Sequence, residues 1–85
     1  MTKQIIWSDE ARADLRAIDR ATALRLLESL ARYKSTGAGD VKQLADYDPP
    51  QFRLRVGDYR IRFLRVNDEV VQVVRVLHRR EAYRV

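Results

Sequence analysis

Residues 51–66 read QFRLRVGDYRIRFLRV. Apolar and basic residues alternate with period two on either side of Gly57-Asp58, the pattern of two short strands joined by a tight turn. Folding the segment about that turn sets Val56 opposite Tyr59, Arg55 opposite Arg60 and Arg53 opposite Arg62. Successive strand side chains point to opposite faces. Phe52, Leu54, Val56, Tyr59, Ile61 and Phe63 therefore share one side, and Arg53, Arg55, Arg60 and Arg62 the other. Like charges directly across a ladder repel. Two such pairs with no acid expected beside them suit a polyanion better than bare solvent.

Charge along the whole chain has the same bias. The formal net charge is +5 over 85 residues. From position 51 onward nine arginines stand against four acids, whereas positions 1–50 hold eight bases and eight acids. The excess thus falls on the expected sheet and tail, and every base there is arginine, which grips phosphate with two parallel hydrogen bonds and stacks on nucleobases. Nucleic acid is the natural ligand, and an acidic protein the alternative. A chain of this length forms one domain, residues 1–85, with a small core. It has no cysteine, which removes disulfides and thiolate metal sites. No apolar run is long enough for a signal peptide or a membrane span, so a soluble, cytoplasmic protein is expected.

Working outward, KQIIW at 3–7 reads as a first strand. Ser8 caps a helix carrying Asp9 and Glu10 in its first turn, where the helix dipole favours acids. Ala11, Leu15 and Ile18 keep helical spacing, so this helix reaches about Ile18. Asp19 caps a second helix, Arg20 to about Lys34, with Leu24, Leu27, Leu30 and Ala31 inward and Ala23 and Leu26 on its flanks. Gly37 is placed for a left-handed C-cap. Residues 38–50 read as a connector without a clear period, and Asp48-Pro49-Pro50 forces an extended approach to the hairpin. Lys42 lies close in sequence to the basic face. By default it is a solvated lysine, but it is carried here as an RNA-binding candidate with Arg53 and Arg62. After a turn at 67–69, VVQVVRVL is apolar at nearly every position, as in a strand covered on both faces. The order is β-α-α-β-β-β: an α+β fold with a helical hairpin packed on a small, mostly antiparallel sheet.

The register of the last strand decides the place of His78, the only histidine. A three-residue turn pairs Val66 with Val70, Arg60 with Val76, and puts His78 on the side of Arg60. A two-residue turn moves it to the opposite face. The former is preferred because it sets Val71, Val73 and Leu77 with Ile61 and Phe63 against the helices. It also turns Arg75 toward the helices, which is tolerable only at an edge or beside an acid.

The expected cluster is Arg53, Arg55, Arg60, Arg62 and His78, joined by Arg79 and Tyr83 from the tail. Without cysteine, a second histidine or paired carboxylates, it is poorly suited to metal binding or to serine- or cysteine-type nucleophilic catalysis. The three glycines form no phosphate-binding loop. Arginines stabilise charge added to a phosphate, and an imidazole and a phenol can move protons. That combination suits metal-free RNA cleavage, in which the substrate's own 2′-OH attacks the adjacent phosphate.

The stretch FRLRVGDYRIRF, followed after one strand by LHRREAYR, resembles the RelE branch of the RelE/ParE toxin superfamily. The resemblance covers nearly the whole chain. R-x-G-x-Y-R-I followed by H-R-x-x-x-Y is fairly specific for the superfamily, less so for its branches. It implies a RelE-like fold and the toxin of a type II toxin–antitoxin system, an endoribonuclease that cuts mRNA in the ribosomal A site without a cofactor and is held inactive by a cognate antitoxin. By position it implies Arg53 and Arg55 as the basic pair, Arg60 as the transition-state arginine, Arg79 as the tail arginine and Tyr83 as the base-stacking tyrosine. Some members carry lysines where this chain has Arg53 and Arg55, which makes His78 the candidate for proton transfer. The other branch, ParE-like inhibitors of DNA gyrase, shares the fold without nuclease activity.

Overall fold

The computed structural model describes residues 4–82. The elements run β1 (Gln4–Trp7), α1 (Asp9–Arg16), α2 (Arg20–Thr36), β2 (Asp40–Gln43), β3 (Gln51–Val56), β4 (Tyr59–Arg65), β5 (Val70–His78) and α3 (Arg79–Ala82). The five strands form one sheet in the order β1-β5-β4-β3-β2. Only the β1–β5 pair is parallel. The expected α+β architecture is present, with β5 inside the sheet.

Local chemistry sets the helix ends. The Ser8 hydroxyl accepts the Ala11 N–H at 3.0 Å and the Asp19 carboxylate accepts the Thr22 N–H at 3.0 Å, each meeting a helix donor that has no partner within its own helix. Gly37 closes α2 in the left-handed region (φ 76°), its N–H donating to the Tyr33 carbonyl.

The core lies between the helices and one face of the sheet. Ala11, Leu26, Leu30 and Tyr33 come from α1 and α2; Leu54, Ile61, Phe63, Val71, Val73 and Val76 come from the strands. The inward stripe of α2 is rotated from the expected one. Leu26, Leu30 and Tyr33 are buried, whereas Leu24 and Leu27 keep 49% and 39% of their surface exposed. Tyr33 explains the rotation. Its ring packs on Phe63 at 5.1 Å and its hydroxyl accepts two hydrogen bonds from Arg65, so an aromatic omitted from the leucine count fixes the face.

Residues 38–50 are not a plain connector. Asp40–Gln43 pairs antiparallel with β3, Val41 opposite Leu54 and Lys42 opposite Arg53. Four residues of weak alternation at an edge carry too little periodicity to stand out in sequence.

Strand β5 departs from the expected register partway along. Val66 donates to the Val70 carbonyl, and Arg65, Leu64 and Phe63 pair with Val71, Gln72 and Val73. A bulge at Val74 then shifts the ladder by one, giving Arg62–Arg75, Ile61–Val76, Arg60–Leu77 and Tyr59–His78. One extra residue turns every later side chain to the other face. Helix α1 holds the bulge. Ser8 donates its N–H to the Val73 carbonyl (3.0 Å) and its hydroxyl to the Val74 carbonyl (2.7 Å). Asp14 accepts the Val76 N–H at 3.0 Å and meets Arg75 through two contacts of 2.7 and 3.1 Å. The expected turn of Arg75 toward the helices is thus corrected: the bulge sets it opposite Arg62, with Asp14 as its ion-pair partner. Among the described residues, no helix is long and apolar enough to cross a membrane.

Burial raises the Asp14 carboxyl pKa, but the Arg75 hydrogen bond, the Val76 N–H and the Arg75 charge outweigh it and hold the group below its ordinary 3.8. A carboxylate with a depressed pKa stabilises the fold above its ordinary value, and the contribution is lost as pH falls through the folded value. Asp14→Ala should therefore cost about 1–3 kcal/mol at pH 7, because it leaves a guanidinium and a backbone N–H unpaired. Urea unfolding should show the gap to the parent protein closing below about pH 4. A gap of equal size at pH 7 and pH 3 would mean that the ion pair contributes nothing.

Candidate nucleic-acid interface

The hairpin pairs as its turn requires: Val56–Tyr59, Leu54–Ile61 and Phe52–Phe63 on the core side, Arg55–Arg60 and Arg53–Arg62 on the other. Gly57 takes φ 58°, the first position of a type II′ turn, where a side chain would be strained. The edge strand adds Lys42 opposite Arg53 and Asp40 opposite Arg55. The face built by β2, β3 and β4 thus carries five cations (Lys42, Arg53, Arg55, Arg60 and Arg62) and the Asp40 carboxylate. That carboxylate corrects the expectation of a face without acids. It stands 3.7 Å from Arg53 and is more than half exposed, a contact worth at most about 1 kcal/mol. Five to one, the face remains strongly positive.

The arginines differ in how they are held. Arg60 is 5% exposed, and its Nη1 donates to the Gly57 carbonyl (3.2 Å) and the Tyr59 carbonyl (3.1 Å). It braces the turn that sets the register. Arg62 donates through Nη2 to Gln51 Oε1 at 2.8 Å, and its guanidinium lies 5.1 Å from the centre of the Tyr47 ring. Among the described residues, Arg53 Nη1 and Arg62 Nε are buried without a hydrogen-bond partner, and Arg53 Nη1 has the Asp40 carboxylate 3.7 Å away as its ion-pair partner. Arg55 is exposed and has no ion-pair partner among the described residues.

At the turn, the Arg79 N–H donates to the Asp58 carbonyl at 2.6 Å, with its guanidinium 3.9 Å from the Asp58 carboxylate. Arg60 and Arg79 therefore brace the same turn. His78 does not join the arginine face. The Val74 bulge sets it opposite Tyr59, where the two rings meet edge to face at 5.3 Å. Its Nδ1 accepts the Arg80 N–H at 3.3 Å, so it caps α3, where proton transfer at the arginines was expected of it. Tyr83 lies outside the described residues. Among those residues, no three His, Cys, Asp or Glu side chains gather to hold a metal ion. Asp40, Tyr47 and Gln51 carry no signal in the sequence that marks them as site residues. Asp40 follows from recognising β2, but nothing local to Tyr47 signals where its loop returns.

Arg60→Ala should lower stability by about 1–3 kcal/mol, since it strips two turn carbonyls of their buried donor, whereas Arg55→Ala should stay within about 0.5 kcal/mol of the parent. Paired urea titrations measure both. Equal losses would mean that Arg60 does not brace the turn.

The model of a family described as the ParE toxin of type II toxin–antitoxin systems, parDE, matches residues 5–83. Three solved structures share the fold. The RelB–RelE antitoxin–toxin complex of Methanococcus jannaschii matches with TM-score 0.73 at 24% identity over 92% of this chain and 94% of that one. The toxin–antitoxin complex RelBE2 of Mycobacterium tuberculosis matches with TM-score 0.76 at 22% identity over 92% and 99%. The RelE–RelB complex of Pyrococcus horikoshii matches with TM-score 0.75 at 22% identity over the full length of both chains. No curated protein matches the chain.

Proposed function

The chain belongs to the ParE toxin family of type II toxin–antitoxin systems, and on that premise we propose that it is a cytoplasmic, ribosome-dependent endoribonuclease that binds mRNA in the A site on its arginine face and cuts it without a metal or cofactor. The observation that carries this is the convergence of Arg53, Arg55, Arg60 and Arg62 on one face, with Arg55 exposed on it. A phosphodiester offers oxygens that guanidinium groups bind with charge-assisted hydrogen bonds. In the reaction the 2′-OH attacks the adjacent phosphorus and the bond from phosphorus to the 5′ oxygen breaks. The products are a 2′,3′-cyclic phosphate and a 5′-OH, and the departing oxygen takes up a proton as the attacking one loses its own. Negative charge builds on the non-bridging oxygens between these events, and Arg53, Arg55 and Arg62 are the groups to stabilise it. Arg60 and Arg79 keep the turn in shape, and Lys42 extends the track for the RNA backbone. Tyr83 is carried from the resemblance as a base-stacking residue. His78 enters as a positioning residue, through its cap on α3.

The partner is a cognate antitoxin. Complexes with an antitoxin are what the three similar structures contain, and two surfaces here call for cover: the cationic face and the apolar strip of Leu24 and Leu27 on α2. The second reading is a ParE-like inhibitor of DNA gyrase. It is favoured by the family whose model matches and by the turning of His78 away from the arginines.

Purified protein in a translation extract and in a gyrase supercoiling assay separates the two. Cleavage of ribosome-bound mRNA should appear with the parent protein and fall at least tenfold with Arg55→Ala. His78→Asn, which keeps an acceptor for the Arg80 N–H but has no titratable ring, should retain most of the activity that His78→Ala loses. Loss in both would return proton transfer to His78. Blocked supercoiling with intact mRNA would establish the gyrase reading instead.

A further inference from the structure

Tyr47 sits in the loop that links the edge strand to the hairpin, and the residue is 42% exposed. The loop is closed by the Leu44 N–H donating to the Gln51 carbonyl at 2.8 Å, so residues 45–50 fold back beside β3. The ring lies 5.1 Å from the guanidinium carbon of Arg62, and that guanidinium is itself fixed by Gln51 Oε1 at 2.8 Å. By its register opposite Arg53, Arg62 belongs to the cationic face. A large aromatic surface is thus anchored at the edge of the phosphate-binding arginines. One side of the ring is engaged by a cation, and much of the residue is left to solvent.

Resting on the RNA reading above, we propose that Tyr47 is a nucleobase-stacking residue: an unpaired base next to the phosphate held by Arg53, Arg55 and Arg62 lies against its ring. Single-stranded nucleic acids are bound this way, by a cationic groove along the backbone with aromatic platforms for the bases. The cation beside the ring assists, since arginine, aromatic and base all present flat faces to one another. An isolated exposed tyrosine needs no explanation. This one is distinguished by its place, because the cation over its ring is a member of the arginine cluster, and Gln51 holds that member in position.

The test uses the full chain and a short single-stranded RNA made uncleavable by 2′-O-methylation, beside a sugar-phosphate strand of the same length without bases. Fluorescence anisotropy gives both affinities for the parent, Tyr47→Ala, Tyr47→Trp and Arg55→Ala proteins. Tyr47→Ala should weaken binding of the base-bearing strand about fivefold to a hundredfold, leave the baseless strand within about twofold, and be rescued by Tyr47→Trp. An equal loss on both strands means that Tyr47 only positions Arg62, and no loss on either means that no base stacks there; both overturn the proposal. If Arg55→Ala also binds like the parent, the RNA reading itself has failed, an outcome distinct from losing Tyr47 dependence alone.

Discussion

The two-residue turn at Gly57-Asp58 is the constraint from which the site follows. It fixes which residue of β3 meets which residue of β4, and because strand side chains alternate, that single choice sends the apolar set to the helices and the arginines to the other face. A slip of one residue would bury four guanidinium groups and expose Leu54, Ile61 and Phe63, an exchange no small domain could survive. The protein secures the turn from three sides: a glycine in the left-handed region, the buried Arg60 on two of its carbonyls, and the Arg79 N–H on the third. One of the bases on the face, Arg60, therefore also holds its geometry.

A second constraint, the bulge at Val74, governs what else can reach that face. Ser8 and Asp14 serve α1 twice, as helix residues and as acceptors or donors for the backbone of β5 where the ladder slips. The slip puts Leu77 beside Arg60 and His78 beside Tyr59. The chemistry of the face consequently rests on fixed positive charge, with the imidazole assigned to the tail. Charge stabilisation by preorganised donors is commonly the largest part of catalysis at a phosphate, and on the nuclease reading proposed above the proton carriers come from elsewhere.

Much of this was legible in the sequence because it depends on short-range rules. Period-two alternation about a Gly-Asp pair gave the hairpin and its register to the residue. Ser8 and Asp19 marked the helix starts, and Gly37 the end of α2. The features that escaped are those set by distant contacts. The strand Asp40–Gln43 is defined by its neighbour β3, and the inward face of α2 by the meeting of Tyr33 with Phe63. The bulge exists because α1 captures the carbonyls and the N–H that it frees, sixty or so residues away in the chain. Arg75 was the one advance sign that the simple register fails: that register forces an arginine toward the core, whereas the bulge sets it opposite Arg62, where Asp14 pairs with it.

The central claim is that the arginine face neutralises nucleic-acid phosphates. Its most direct test is the salt dependence of binding to a single-stranded RNA. Each phosphate contact releases counterions, contributing about −0.7 to the slope of log affinity against log salt. Three to four contacts from the face predict a slope of about −2 to −3. A slope near zero, or RNA binding that does not weaken with salt at all, would contradict the account.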